Sequence, residues 1–248
     1  MLSVTRRASF LLGYNPLWVF AQLLGLLALI LIGILFDKKH TAGGYNWKTS
    51  PFNYHPLMMT IGLLFCYGNA ILSYRTLTRV PKFTVKLVHA CLLVLSLIFA
   101  LVGLTAIIRV KNESKPPSSH FMSLHAWMGL ITIILFVFQW IFGFCCFLFP
   151  TLSLEIRQLY MPSHRLWGKT IFSMALITIL MGITEAGAFE AFFVGQDANR
   201  SVRLMMIFFG LFTAGFGFIV NYLLEKNDFQ RPSDPDNDSL NNNNNDKK

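Results

Sequence analysis

Six stretches of mostly apolar residues alternate with short polar segments along the chain, at about 17–36, 54–74, 88–108, 125–148, 166–188 and 204–225. A helix rises 1.5 Å per residue, so about 20 such residues cross the ~30 Å hydrocarbon core of a bilayer. Backbone polar groups find no water there, so runs of this length are predicted as helices that satisfy their own hydrogen bonds. The separators carry charge and breakers, as in Lys115-Pro116-Pro117-Ser118 and the segment from Pro150 onward. The first run ends in Asp37-Lys38-Lys39 and is longer than a signal-peptide core, so it reads as a retained first span. The predicted fold class is all-α: a polytopic membrane protein with a six-transmembrane-helix bundle over 17–226 and a short segment, 1–16, before it. Residues 227–248 form a polar, low-complexity tail expected to be disordered. No internal repeat is evident.

Composition agrees with this class and excludes others. Of the 248 residues 54% are hydrophobic and 13% charged, about half the charge density of a soluble domain. The net charge of +9 is not read as a nucleic-acid footprint, because the basic residues lie between the apolar runs, where they orient helices. With six spans both termini share a side, and that side carries thirteen Lys and Arg against eight on the other. This bias places the termini in the cytoplasm. The sequons at Asn112 and Asn199 fall on the opposite side; the one at Asn237 falls in the tail and is expected to be silent. Cys66, Cys91, Cys145 and Cys146 all sit inside apolar runs and are expected to be free, buried thiols.

The candidate chemistry lies in the histidines. Four of the six open a span: His55 the second, His89 the third, His125 the fourth and His164 the fifth. Even and odd spans run in opposite directions. His55 and His125 therefore fall at the non-cytoplasmic end, and His89 and His164 at the cytoplasmic end. Two readings are open at this point. Interfacial histidines are common as hydrogen-bonded residues, and four of them can coincide. Alternatively, each pair holds a haem between two helices, neutral imidazoles being good axial ligands for iron. The two irons would then be on the order of 20 Å apart. Lys82, Lys86 and His89 are spaced i, i+4, i+7 and share one helical face if a helix begins near Lys82. They are read either as orienting charge or as an anion site beside His89.

The local strings narrow this choice. FNYHP at 52–56, GNAILSYR at 68–75, SLHAWMG at 123–129, MPSH at 161–164 and MGITE at 181–185 resemble the cytochrome b561 family, over about residues 15–232. The resemblance implies a six-helix protein with two haems b that passes electrons from ascorbate on one side to an acceptor on the other. It implies His55 and His125 as ligands of the non-cytoplasmic haem, and His89 and His164 as ligands of the cytoplasmic one. It implies Lys82, Lys86 and Arg157 as the basic residues that hold cytoplasmic ascorbate. Arg75, Ser123 and Glu185 match haem-contacting residues. It also implies a homodimer, and a secretory-vesicle, lysosomal or endosomal, or plasma membrane.

The chain departs from the family pattern near His125, where Met122 and Ala126 replace a tyrosine and a serine, and at His120, where asparagine is common. His120 is therefore either part of an outer substrate or haem site or a solvated loop residue. The expected acceptor is monodehydroascorbate or a ferric chelate. The rivals from other classes are a small-molecule transporter and a haem-free scaffold. Against the first, no Asp, Lys or Arg is evident at mid-span.

Overall fold

The computed structural model describes residues 10–37, 44–193 and 200–231. His40, Asn199 and the tail from 232, including Asn237, lie outside the described residues. Six helices are long and apolar enough to cross a membrane: α1 (Leu12–Leu35), α2 (Pro51–Thr76), α3 (Lys82–Glu113), α4 (Leu124–Phe147), α5 (Leu154–Ala186) and α6 (Arg200–Glu225). The α5 helix continues to Phe193.

Two of these begin well before the apolar runs, α3 by six residues and α5 by twelve. Hydropathy reports only the lipid-immersed part of a helix, and hydrogen bonding carries the coil on into the polar region. The basic residues there, Lys82, Lys86, Arg157 and Arg165, are therefore helical. His89 and His164 stand two and three turns inside their helices rather than at the start. Pro162, expected in a separator, lies within α5.

The packing is set by α2, of which 61% is buried against no more than 33% for any other span. α1 packs chiefly on α6, and on α2 at Phe65, with a stripe of small residues, Ala21, Gly25 and Ala28, continued by Ile32 and Leu35. These recur at alternating steps of four and three, the spacing of a packed helix seam. α6 answers with Phe209, Thr213, Phe216, Val220 and Leu223. The Phe216 ring occupies a notch between α1 and α2. A Cβ on Gly25 would stand 3.0 Å from it, and one on Gly68 would stand 2.7 Å from it. α2 contains a π-helical stretch, Thr60–Cys66. α3 buttresses it through Ser96, which is fully buried and donates to the Gly62 carbonyl at 2.7 Å.

The terminal end of the bundle is closed by side chains that cap helices. Arg75 donates to the Leu224 and Lys226 carbonyls at the end of α6. Arg231 donates to Leu77 and Val80 in the α2–α3 turn. Phe229 is buried, with its ring 5.5 Å from that of Tyr14. Residues 227–231 are thus packed on the bundle, although their polar sequence places them in the tail; only Phe229 marks them, and one aromatic is too little to read as structure. At the opposite end Tyr45 donates to the Ile32 and Gly33 carbonyls, both at 3.1 Å. Burial pushes this phenol up to about 12, so it remains a donor at ordinary pH.

All four cysteines are free, but only Cys66 and Cys146 are buried; Cys91 and Cys145 are on the outward surface. An apolar run does not reveal which of its faces meets lipid, so the expectation of four buried thiols is corrected for these two.

A Cβ at Gly62 would lie 2.7 Å from the Ser96 backbone oxygen, which cannot rotate away as a side chain can. Gly62→Ala should therefore destabilise the protein by about 1–3 kcal/mol. Thermal unfolding in detergent measures this, with Gly33→Ala as control, since no atom lies within 4 Å of that position.

Candidate functional site

Each of the four span histidines lies on a different helix of the α2–α5 group, and the structure brings them together in two pairs. The ring centres of His55 and His125 are 6.1 Å apart, and those of His89 and His164 are 6.4 Å apart. Direct ring stacking or a hydrogen bond would bring the pairs closer. An imidazole nitrogen binds a transition metal at about 2.0–2.1 Å, and its ring centre lies roughly an ångström behind. Two imidazoles on opposite sides of one metal thus have centres about 6 Å apart. No angle between the rings is required, because both planes contain the common axis. The observed angles are 88° and 67°.

Hydrogen bonds at Nδ1 hold the rings in place. His55 Nδ1 lies 3.0 Å from the Gly103 carbonyl oxygen on α3, and His89 Nδ1 lies 2.8 Å from that of Ala70 on α2. His125 Nδ1 lies 2.9 Å from the Thr178 carbonyl on α5, and His164 Nδ1 lies 2.9 Å from the Gln139 amide on α4. A carbonyl only accepts, so it fixes the Nδ1–H tautomer and leaves the Nε2 lone pair for a metal. α2 and α3 anchor each other's histidine, and so do α4 and α5.

A repeat that the sequence does not display emerges from this. His89 precedes Gly103 by fourteen residues, His125 precedes Gln139 by fourteen, and His164 precedes Thr178 by fourteen; His55 precedes Ala70 by fifteen. A π-helical turn takes up one extra residue, and the π stretch of α2 lies between His55 and Ala70. Each helix thus carries a histidine for one end of the bundle and an anchor for the other, about 21 Å along its axis.

Two glycines complete the cradle. A Cβ on Gly143 would stand 2.8 Å from His164 Cε1, and one on Gly182 would stand 2.9 Å from His125 Cε1. Each lies one turn beyond the anchor on its own helix. Between the two pairs the interior is aromatic: Tyr67 is buried, with ring centres 5.0 Å from Phe136 and 5.6 Å from Phe172, and its hydroxyl donates to the Gly168 carbonyl at 3.0 Å.

Among the described residues no three or more His, Cys, Asp and Glu side chains converge as a metal cluster. A porphyrin supplies four equatorial donors of its own, so two imidazoles are a complete protein contribution to a haem. The residues therefore fit that group. The sequence model of the family described as Eukaryotic cytochrome b561 matches residues 54–190, which hold all four histidines and their anchors. The chain belongs to the cytochrome b561 family. It is 37% identical over 224 residues to the transmembrane ascorbate-dependent reductase CYB561 of Mus musculus, covering 89% of this chain and 87% of that protein. It is 34% identical over 243 residues to the putative transmembrane ascorbate-dependent reductase CYB561 homolog of Caenorhabditis elegans, covering 92% and 88%. To the lysosomal membrane ascorbate-dependent ferrireductase CYB561A3 of Rattus norvegicus it is 34% identical over 228 residues, covering 87% of each.

The remaining candidate residues of this cytochrome b561 fall into two groups. At the His89–His164 end, Lys86 donates to the Phe147 carbonyl at 3.0 Å and lies close enough to Lys82 and Arg157 for their charges to repel it. Arg75, at the same end, holds the α6 terminus. At the other end Ser123 caps α4 by accepting from the Ala126 N–H at 3.3 Å, which sets His125 in the first turn. Glu185 is exposed and electrostatically coupled to His55. His120 Nε2 lies 2.8 Å from Asn112 Oδ1, so the asparagine of that sequon is in the last helical turn of α3 and already engaged. Beside it Phe121 has a φ of 54°, uncommon for a bulky residue, and its ring lies 5.6 Å from Trp127.

Gln139, Gly143 and Gly182 are site residues that the sequence reading missed. Gln139 is marked in the sequence only as an uncharged polar residue well inside a span. The glycines gave no local signal, since their partner rings are far away in sequence.

Gly143→Val and Gly182→Val should each lower the haem content of the purified protein by displacing an imidazole, while Gly33→Val leaves it unchanged. Equal haem content in all three variants would contradict the cradle.

Proposed function

We propose that the protein is an oxidoreductase that carries single electrons across a membrane from cytoplasmic ascorbate to an acceptor on the other side. In this reading His89 and His164 are axial ligands of a haem b at the cytoplasmic end, and His55 and His125 of a second at the non-cytoplasmic end. Two such groups, when bound, supply a one-electron relay between the faces. The observation that carries the reading is the pair of ring separations that match a metal between two imidazoles. The names of the relatives support ascorbate as the donor, and the excess of Lys and Arg at the terminal side supports cytoplasmic termini.

The basic cluster supports the position of the donor. Lys82 and Lys86 stand in the first turns of α3, where the helix dipole is already positive and the first turn itself contains no acidic residue. Like charges four residues apart oppose helix formation, and Arg157 adds a third cation from α5. Its Nε is buried without a hydrogen-bond partner. Such an arrangement is unfavourable by itself and suits an anion. Ascorbate is a monoanion at neutral pH, and the cluster holds it within one or two helical turns of His89. For the acceptor, monodehydroascorbate and a ferric chelate are both consistent with the His120–Asn112 end.

Lys86→Ala should lower the rate of reduction by ascorbate about tenfold or more, since a hydrogen bond to a charged group contributes about 1.5–3 kcal/mol. The haem absorbance should persist, and the wild-type rate should fall with ionic strength. Stopped-flow reduction of the protein in vesicles measures all three, and loss of haem in the variant would refute the assigned role. Presenting each acceptor on the far side of the same vesicles distinguishes the two.

A further inference from the structure

The fourfold anchoring pattern is broken at one place. Three histidines turn Nδ1 toward a backbone carbonyl, which can only accept. His164 turns it toward a side chain. The Gln139 amide nitrogen lies 2.9 Å from His164 Nδ1 and donates to the His164 carbonyl at 2.8 Å. Gln139 Oε1 faces the Tyr160 hydroxyl at 3.4 Å. A carboxamide has a donor end and an acceptor end of nearly equal shape, and a phenol can serve either of them. The histidine with an adjustable partner is thus also the one beside the basic cluster, on the helix that carries Arg157.

With its NH2 toward Nδ1, Gln139 makes that ring nitrogen an acceptor and places the imidazole proton on Nε2. A neutral imidazole that ligates through Nε2 carries its proton on Nδ1 instead. The two arrangements are incompatible unless the amide turns end for end. Turning it brings Oε1 to Nδ1–H and leaves the NH2 to the Tyr160 hydroxyl as acceptor; it also breaks the bond from the NH2 to the His164 carbonyl, and the side chain must draw back from that carbonyl because two oxygens repel at 2.8 Å. A stronger acceptor at Nδ1 raises the basicity of a ligating histidine, which favours the more highly charged ferric iron over ferrous.

We propose that Gln139 is a positioning residue that turns its amide oxygen to His164 Nδ1 when the haem is bound and so sets the reduction potential of that haem alone. The proposal rests on the haem reading of the preceding subsection. A carbonyl in place of Gln139 would fix one ligand strength; a side chain makes it adjustable by substitution.

The test is a redox titration of both haems in the purified, haem-loaded protein, followed by absorbance, for Gln139→Glu and Gln139→Leu. A carboxylate accepts more strongly than an amide. Gln139→Glu should therefore shift one haem toward the ferric state by about tenfold in the equilibrium ratio, which is 59 mV for one electron, and leave the other unmoved. Gln139→Leu removes the acceptor and should shift the same haem in the opposite direction. If Gln139→Leu does not retain that haem, Gln139→Glu decides alone. Unchanged potentials, equal movement of both haems, or a shift in the same direction in both variants would overturn the proposal. Absence of b-type absorbance in the wild-type protein would instead remove the haem reading beneath it.

Discussion

A histidine that holds a metal must lose two side-chain torsions, and an imidazole bound only through Nε2 is free to swing. The bundle removes this freedom by hydrogen-bonding Nδ1 to an antiparallel neighbour one hairpin away. Because the neighbour's own histidine is anchored in return, the register between α2 and α3, and between α4 and α5, is set by the same bonds that orient the rings. The fourteen-residue step from histidine to anchor then determines how far apart the two pairs stand. The π stretch in α2 reconciles its fifteen-residue step with the others, and Ser96 on α3 braces that stretch at the Gly62 carbonyl. A slip of one residue in any of the four helices would turn a histidine away from its partner by about 100°, so packing and site geometry are one constraint.

Much of this is legible in the sequence because lipid simplifies the code. Runs of apolar residues can only be helices there, and the alternating direction of the spans sorts four histidines into two pairs without any coordinates. The structure brings together His55 with His125 and His89 with His164 as that sorting expects. Helix ends are less legible, since α3 and α5 continue through Lys82–Val88 and Leu154–Arg165, where hydropathy no longer reports helicity. Contacts between distant residues are least legible. Nothing near Gly143 announces an imidazole twenty-one residues away, and nothing near Arg75 announces the end of α6. Residues 227–231 read as tail because their order comes from Arg231 and Phe229 meeting other elements, not from local propensity.

The two ends of the bundle differ in a manner that suits directional transfer. The terminal end gathers three cations and a buried, unpartnered Arg157 nitrogen near His89 and His164. The opposite end has one carboxylate near His55, a histidine engaged by Asn112, and the Phe121–Trp127 pair. Between them Tyr67, Phe136 and Phe172 are buried and pack ring against ring. An anion is attracted to the cations beside His89 and His164.

The proposed function has each histidine pair hold one haem. Its most direct measurement is the ratio of haem to protein in the purified wild-type chain, with the reduced-minus-oxidised spectrum taken on the same sample. Two b-type haems per chain are expected, low-spin if each is held by two imidazoles. One haem per chain, or a folded protein without a b-type band, would contradict it.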